Sequence, residues 1–116
     1  MTTHTDGERI AAVRTSLGLS RADLAGLLDV SFETVKGWEI GRRAMPSGAW
    51  HDVIRLRARF DTEVAGHIAG MSTLAPGAAV LRLDEGPESM PLGWQRAVAA
   101  AVLRQIPELT IIRDRG

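Results

Sequence analysis

The chain has 116 residues, which is enough for one domain or for two small modules that share a core. Hydrophobic residues make up 45% of the sequence, and this excludes the disordered and fibrous classes. Fourteen Lys and Arg residues balance fourteen Asp and Glu residues, so binding of nucleic acid through bulk positive charge is also excluded. The absence of cysteine excludes disulfides, cysteine-ligated metals and thiol nucleophiles.

No segment of the sequence is typical of a membrane span or a signal peptide. The longest apolar runs, such as residues 97–103, are far shorter than the roughly 18 residues that a membrane helix needs. The first ten residues are largely polar where a signal peptide would be apolar. The sequence therefore predicts a soluble, cytoplasmic protein that has no membrane partner.

Residues 8–71 are predicted to form four helices. Apolar residues spaced by 3.6 positions define the first helix, which ends at Gly18. A capping box in residues 20–23 begins the second helix, and Ser31 caps the third. Pro46 opens a longer fourth helix, whose predicted apolar stripe consists of Trp50, Val53, Ile54, Phe60, Val64 and Ile68.

The rest of the chain predicts a strand, a helix and a second strand, in residues 78–83, 93–105 and 109–113. Two short strands and one helix are too little for an independent core, so this tail is expected to pack on the helical half or on a second copy. The predicted fold is mainly α with a small α/β tail. Its predicted domains are a helical domain in residues 1–70 and a dimerisation domain in residues 71–116. The predicted dimer interface is formed by Trp94, Val98, Val102 and Ile111.

Residues 21–40 have the pattern of a helix-turn-helix. Ala25 is a small residue at the point where the two helices would cross closely, and Val30 is an apolar residue just after the turn. Val35 and Trp38 are expected to face inward from the second helix of the motif. Two steeply crossed helices need a small residue at their contact, and the outer face of the second helix is then free to enter a DNA major groove.

The N-terminal half resembles the Cro/repressor class of helix-turn-helix domains. The residues that carry this resemblance are Gly18-Leu19-Ser20, Leu24-Ala25, Val30-Ser31, Trp38-Glu39-Ile40-Gly41 and Pro46. Asp29 departs from the family pattern, which usually has glycine in the turn, but aspartate tolerates the left-handed backbone better than most residues.

The whole chain is similar to the anti-CRISPR-associated autorepressors and their bacterial relatives. Gly93 and Trp94, at the start of an alanine-rich helix, carry this second resemblance, together with the length of the chain. It implies a homodimer that binds inverted-repeat operators in double-stranded DNA and usually represses its own operon. Relatives have also been linked to RNA binding.

The residues predicted to read bases lie on the outer face of the third helix. Phe32 contacts a thymine methyl group or folds back on the first helix or Met45. Glu33 accepts a hydrogen bond from a cytosine amino group or only favours the helix N-terminus. Lys36 lies one turn further along the same face.

A second set of residues is predicted to contact the sugar-phosphate backbone on either side of the groove. Glu39 is instead expected to form an internal ion pair or hydrogen bond. The residues predicted to hold the backbone are Arg21, Ser31, Thr34, Arg42 and Arg43.

Enzyme motifs are missing from the sequence. The three histidines have no metal-ligand spacing, and there is no phosphate-binding glycine loop or nucleophile motif. We therefore expect no catalytic residue, no metal and no cofactor. Two alternative functions stay open: an antitoxin-type repressor whose tail also binds a toxin protein, and a protein-interaction adaptor that does not bind DNA.

Overall fold

The computed structural model describes residues 6–113, which form five helices and two strands. Their order is α1 (Asp6–Ser16), α2 (Arg21–Leu28), α3 (Phe32–Glu39), α4 (Ser47–Met71), β1 (Val80–Leu83), α5 (Leu92–Gln105) and β2 (Thr110–Arg113). The fold is mainly α with a small α/β tail, as the sequence predicts. No helix in this part of the chain is long and apolar enough to cross a membrane.

The chain divides into two compact units, and the division falls within α4, between residues 58 and 59. The sequence instead predicts a boundary after residue 70. The difference arises because the C-terminal half of α4 packs with the tail. The Phe60 ring lies 5.2 Å from the Trp94 ring in an edge-to-face arrangement, and Trp94 Nε1 donates to Glu63 Oε2 at 2.9 Å.

Local signals at the helix ends shape the N-terminal unit. The Ser20 hydroxyl accepts from Asp23 N at 3.0 Å, and Ser20 N donates to Asp23 Oδ2 at 2.9 Å, which forms the predicted capping box. Asp29 ends α2 in the left-handed conformation, with a φ of 56°. Gly18 and Gly41, with φ values of 73° and 81°, turn the chain after α1 and after α3.

The core of the N-terminal unit joins α1, α2 and α3 to the first half of α4. The buried apolar residues are Ile10, Leu17, Leu19, Leu24, Ala25, Val35, Trp38 and Val53. Gly7 allows the backbones of α1 and α3 to approach, because a Cβ atom at this position would collide with the carbonyl oxygens of Trp38 and Glu39. Val53 is the only fully buried residue of α4. In the predicted apolar stripe, Ile54 is 49% exposed, and the half-buried residues are Trp50, Phe60, Val64 and Ile68.

The C-terminal unit is built around the parallel strands β1 and β2, which are connected through α5. The register pairs Leu81 with Ile111 and Leu83 with Arg113. Parallel strands need such a crossover connection, and here it is a helix. The core of this unit is formed by Ala79, Leu81, Leu83, Trp94, Val98, Ala99, Val102 and Leu109.

The predicted dimer interface needs correction. Trp94, Val98 and Val102 are 0%, 3% and 0% exposed within a single chain. They form the core of the C-terminal unit and offer no surface to a second copy. Of the two packing partners that the sequence allowed for the tail, the C-terminal half of α4 is the one that covers Trp94. Of the four predicted interface residues, only Ile111 lies on the surface, with 40% of its area exposed.

Candidate nucleic-acid interface

Helix α3 has one buried face and one exposed face. Val35, Trp38 and Glu39 point into the N-terminal unit and are buried. Glu33 and Ile40, which are exposed, lie on the opposite side of the helix. Helix α3 is thus packed through one face and leaves the other face accessible.

Phe32 is a large apolar side chain at the exposed start of α3. Its side chain is 45% exposed. Glu33 beside it is exposed and Lys36 is half-buried. The structure therefore brings the three predicted base-reading residues to the accessible side of α3.

Ile40 is an exposed apolar residue that the sequence reasoning did not single out. It is the C-cap of α3 and is 51% exposed. Its spacing of four residues from Lys36 places it on the same side of the helix. That spacing was visible in the sequence, but Ile40 was assigned only as the end of the helix.

Two hydroxyl groups organise the N-terminus of α3. Ser31 Oγ accepts from Thr34 N at 3.1 Å, which caps the helix, and lies 2.8 Å from Thr34 Oγ1. Thr34 Oγ1 accepts from Arg43 Nη1 at 3.1 Å. Three of the residues predicted to contact the DNA sugar-phosphate backbone are therefore linked to one another by hydrogen bonds: Ser31, Thr34 and Arg43.

Arg42 and Arg43 are both exposed, but the structure gives the two side chains different surroundings. The aliphatic part of Arg43 lies over Gly37, since a Cβ atom on Gly37 would be 3.0 Å from Arg43 Cδ. Arg42 contacts α3 through its backbone, where its N–H donates to Gly37 O at 2.9 Å. The sequence treated the two arginines as an equivalent pair.

Glu39 is the centre of a partly buried ion-pair cluster, as the sequence predicts. It accepts from Arg14 Nε at 2.6 Å, from Arg14 Nη2 at 3.0 Å and from Arg21 Nε at 2.9 Å. The Glu39 side chain is only 2% exposed. Burial alone would raise the pKa of Glu39, but the hydrogen bonds and the charges of the two arginines outweigh it and lower the pKa.

Arg21 is therefore held by the protein itself. Its side chain is 33% exposed, and its Nε–H is directed to Glu39. The guanidinium group has further N–H donors besides Nε, so the contact with Glu39 fixes the orientation of the side chain without using all of its donors. The sequence identified Arg21 and Glu39 separately but did not pair them.

No protein-family model and no curated protein matches the chain. Among residues 6–113, no cluster of three His, Asp or Glu side chains could hold a metal ion.

Proposed function

We propose that this protein is a sequence-specific DNA-binding transcriptional regulator of the cytoplasm that acts as a dimeric repressor. The observation that carries this proposal is the outer face of α3. Phe32 is 45% exposed and Glu33 is exposed at the start of this helix, whereas buried Val35 and Trp38 anchor the helix in the N-terminal unit. A rigidly held helix with an exposed apolar and charged face suits the major groove.

Base reading is assigned to the exposed end of α3. Phe32 offers an apolar surface to a thymine methyl group, and Glu33 offers a carboxylate acceptor to a cytosine amino group. Lys36 supplies a hydrogen-bond donor one turn further along the helix. These three side chains differ in chemistry, so each one contributes a different base preference.

Affinity depends on a few placed arginines because the net charge of the chain is zero. Arg21 is oriented by Glu39 and keeps further donors for a phosphate group. Arg42 follows α3 in an exposed loop. We assign phosphate contacts to these two arginines, and to Ser31 at the N-terminus of α3.

Dimer formation is assigned to the sheet of the C-terminal unit. This sheet has two strands within the described residues, so each strand has one unpaired edge. Val80 and Ile111 are 42% and 40% exposed on these strands. Pairing with a second copy would cover such edges and would present two copies of α3 to an inverted repeat.

Selection of bound duplexes from a random-sequence DNA pool tests the proposal. The wild-type protein is expected to enrich an inverted repeat whose half-sites lie about one helical turn, ~34 Å, apart. Insertion of about five base pairs between the half-sites should abolish tight binding, because it moves one half-site to the opposite side of the duplex. Sedimentation at micromolar concentration should show a dimer.

Two outcomes of this selection would contradict the proposed function or the dimer assignment. If no sequence is enriched, the protein is not a sequence-specific regulator, and the adaptor function becomes the better interpretation. If a single half-site is enriched and the inserted spacer has no effect, DNA recognition is monomeric and the dimer assignment is wrong.

A further inference from the structure

The side chain of Arg43 lies on the outer face of α3, at a position where the helix itself has no side chain. Gly37 occupies this position, between the exposed residues Glu33 and Ile40. Gly37 is nevertheless buried, because the Arg43 stem covers it. A Cβ atom on Gly37 would lie 3.0 Å from Cδ and 3.1 Å from Cγ of Arg43. The arginine thus fills the space that a side chain at residue 37 would take.

Arg43 is fixed to α3 at both ends. The positive φ of Gly41 turns the chain back after the helix, and Arg43 N donates to Gly37 O at 3.1 Å. At the far end of the side chain, Nη1 donates to Thr34 Oγ1 at 3.1 Å, and Thr34 Oγ1 lies 2.8 Å from Ser31 Oγ. Two neighbouring turns of α3 therefore hold the guanidinium group over the helix. A loop side chain without these contacts would be free to move.

The remaining donors of the guanidinium group suit a base edge. A guanidinium carries five N–H donors in a planar fork. In residues 6–113, the hydrogen bond to Thr34 is the one that the Arg43 side chain makes. The arrangement leaves a pair of parallel donors available, and such a pair matches O6 and N7 of guanine, which is the commonest specific contact in the major groove.

We propose that Arg43 is a specificity-determining residue that contacts one guanine in each half-site, and that it replaces the missing side chain of Gly37. This inference rests on the proposed function and changes the role that the sequence gave to Arg43, which was a phosphate contact. A phosphate contact would weaken binding to all sequences alike, whereas a base contact affects one position of the operator.

Two variants test the inference against the operator that the wild-type protein selects. Arg43→Lys keeps the positive charge but removes the planar fork. It should bind the operator roughly tenfold or more weakly, keep its affinity for random duplex, and lose the preference for guanine at one position of each half-site when the selection is repeated. Arg104→Lys, at an exposed position in α5, is the matched control and should retain the wild-type preference.

Gly37→Ala is the second variant, and it leaves Arg43 in the chain. The added methyl group would lie 3.0 Å from Arg43 Cδ and should displace the flexible stem. Alanine is also a better helix former than glycine, so the variant should fold. The guanine preference should be weakened at the same position as in Arg43→Lys, with little change in affinity for random duplex. Circular dichroism confirms that each variant is folded.

Three results would overturn the inference. The first is that Arg43→Lys retains the guanine preference. The second is that Arg43→Lys loses affinity equally for operator and random duplex. The third is that Gly37→Ala leaves the guanine preference intact. In each case the wild-type protein still selects an operator, so the proposed function stands. If the wild-type protein selects no sequence, the proposed function fails and this inference fails with it.

Discussion

Replacement of Glu39 by glutamine is expected to destabilise the N-terminal unit by about 2–4 kcal/mol. Removal of one member of a buried ion pair costs roughly 3–5 kcal/mol, because the other member stays buried without its counter-charge. The Arg14 and Arg21 side chains are 14% and 33% exposed, so water compensates part of this loss. For a unit of this size, the change corresponds to a decrease in Tm of about 10–25 °C.

Urea unfolding followed by circular dichroism at pH 7 measures this effect. Glu33→Gln is the matched control, since it makes the same chemical change at an exposed position of the same helix. Its cost should not exceed about 1 kcal/mol. Equal stability of Glu39→Gln and Glu33→Gln would show that the ion pairs of Glu39 do not stabilise the N-terminal unit.

The same cluster predicts how stability depends on pH. The pKa of Glu39 is lower in the folded protein than the ordinary glutamate value of about 4.3. A group of this kind stabilises the fold fully above its unfolded-state pKa, and the stabilisation is lost as the pH falls through the folded-state pKa. The stability difference between wild type and Glu39→Gln should therefore be constant near neutral pH and decrease below about pH 4.3. A difference that grows on acidification would contradict this sign.

The remaining predictions concern backbone packing, a loop and the base-reading face. Gly7→Ala should lower the free energy of unfolding in urea by about 2 kcal/mol or more, because its methyl group would collide with the backbone of α3. Gly26→Ala has open space around the new methyl group and should raise the free energy of unfolding by up to about 1 kcal/mol. Gln95→Ala should cost about 1–3 kcal/mol, because its amide closes the loop of residues 84–91 with three hydrogen bonds; unchanged stability would show that the loop is held otherwise. Lys36→Ala should lose about 1–3 kcal/mol of affinity for the operator and little for random duplex in titrations, and a uniform loss would make it a phosphate contact.

Features that depend on neighbours in sequence could be predicted. The capping box of Ser20 and Asp23, the cap at Ser31 and the left-handed turn at Asp29 each involve residues within three positions of one another. The side chain and the backbone group that it satisfies are then adjacent whatever the rest of the fold does. For this reason α2, α3 and the short turn between them could be predicted from the sequence.

Features that depend on distant residues could not be predicted. Trp94 was assigned to a dimer interface because nothing in its own segment could bury it, yet Phe60 and Glu63, more than thirty positions earlier, complete its environment. The pairing of Arg21 with Glu39 spans eighteen positions between two helices. The apolar and charged residue types were visible in the sequence, but their partners are set by tertiary packing.

The path of Arg43 across α3 illustrates the same limit within a short segment. It depends on the direction in which the chain leaves Gly41 and on the absence of a side chain at Gly37. A motif that is defined by residue types predicts only that an arginine lies in a loop. Such a motif does not predict that the loop returns to the helix.

The ratio of two dissociation constants tests the central claim most directly. The wild-type protein is titrated with its selected operator and with a random duplex of the same length at about 150 mM salt, where non-specific phosphate binding is weak. We expect the operator to bind at least ~1,000-fold more tightly. Phe32→Ala should reduce this ratio roughly 5- to 150-fold through the operator alone. A wild-type ratio near one, or a ratio that Phe32→Ala leaves unchanged, would contradict the assignment of α3 as the helix that reads DNA.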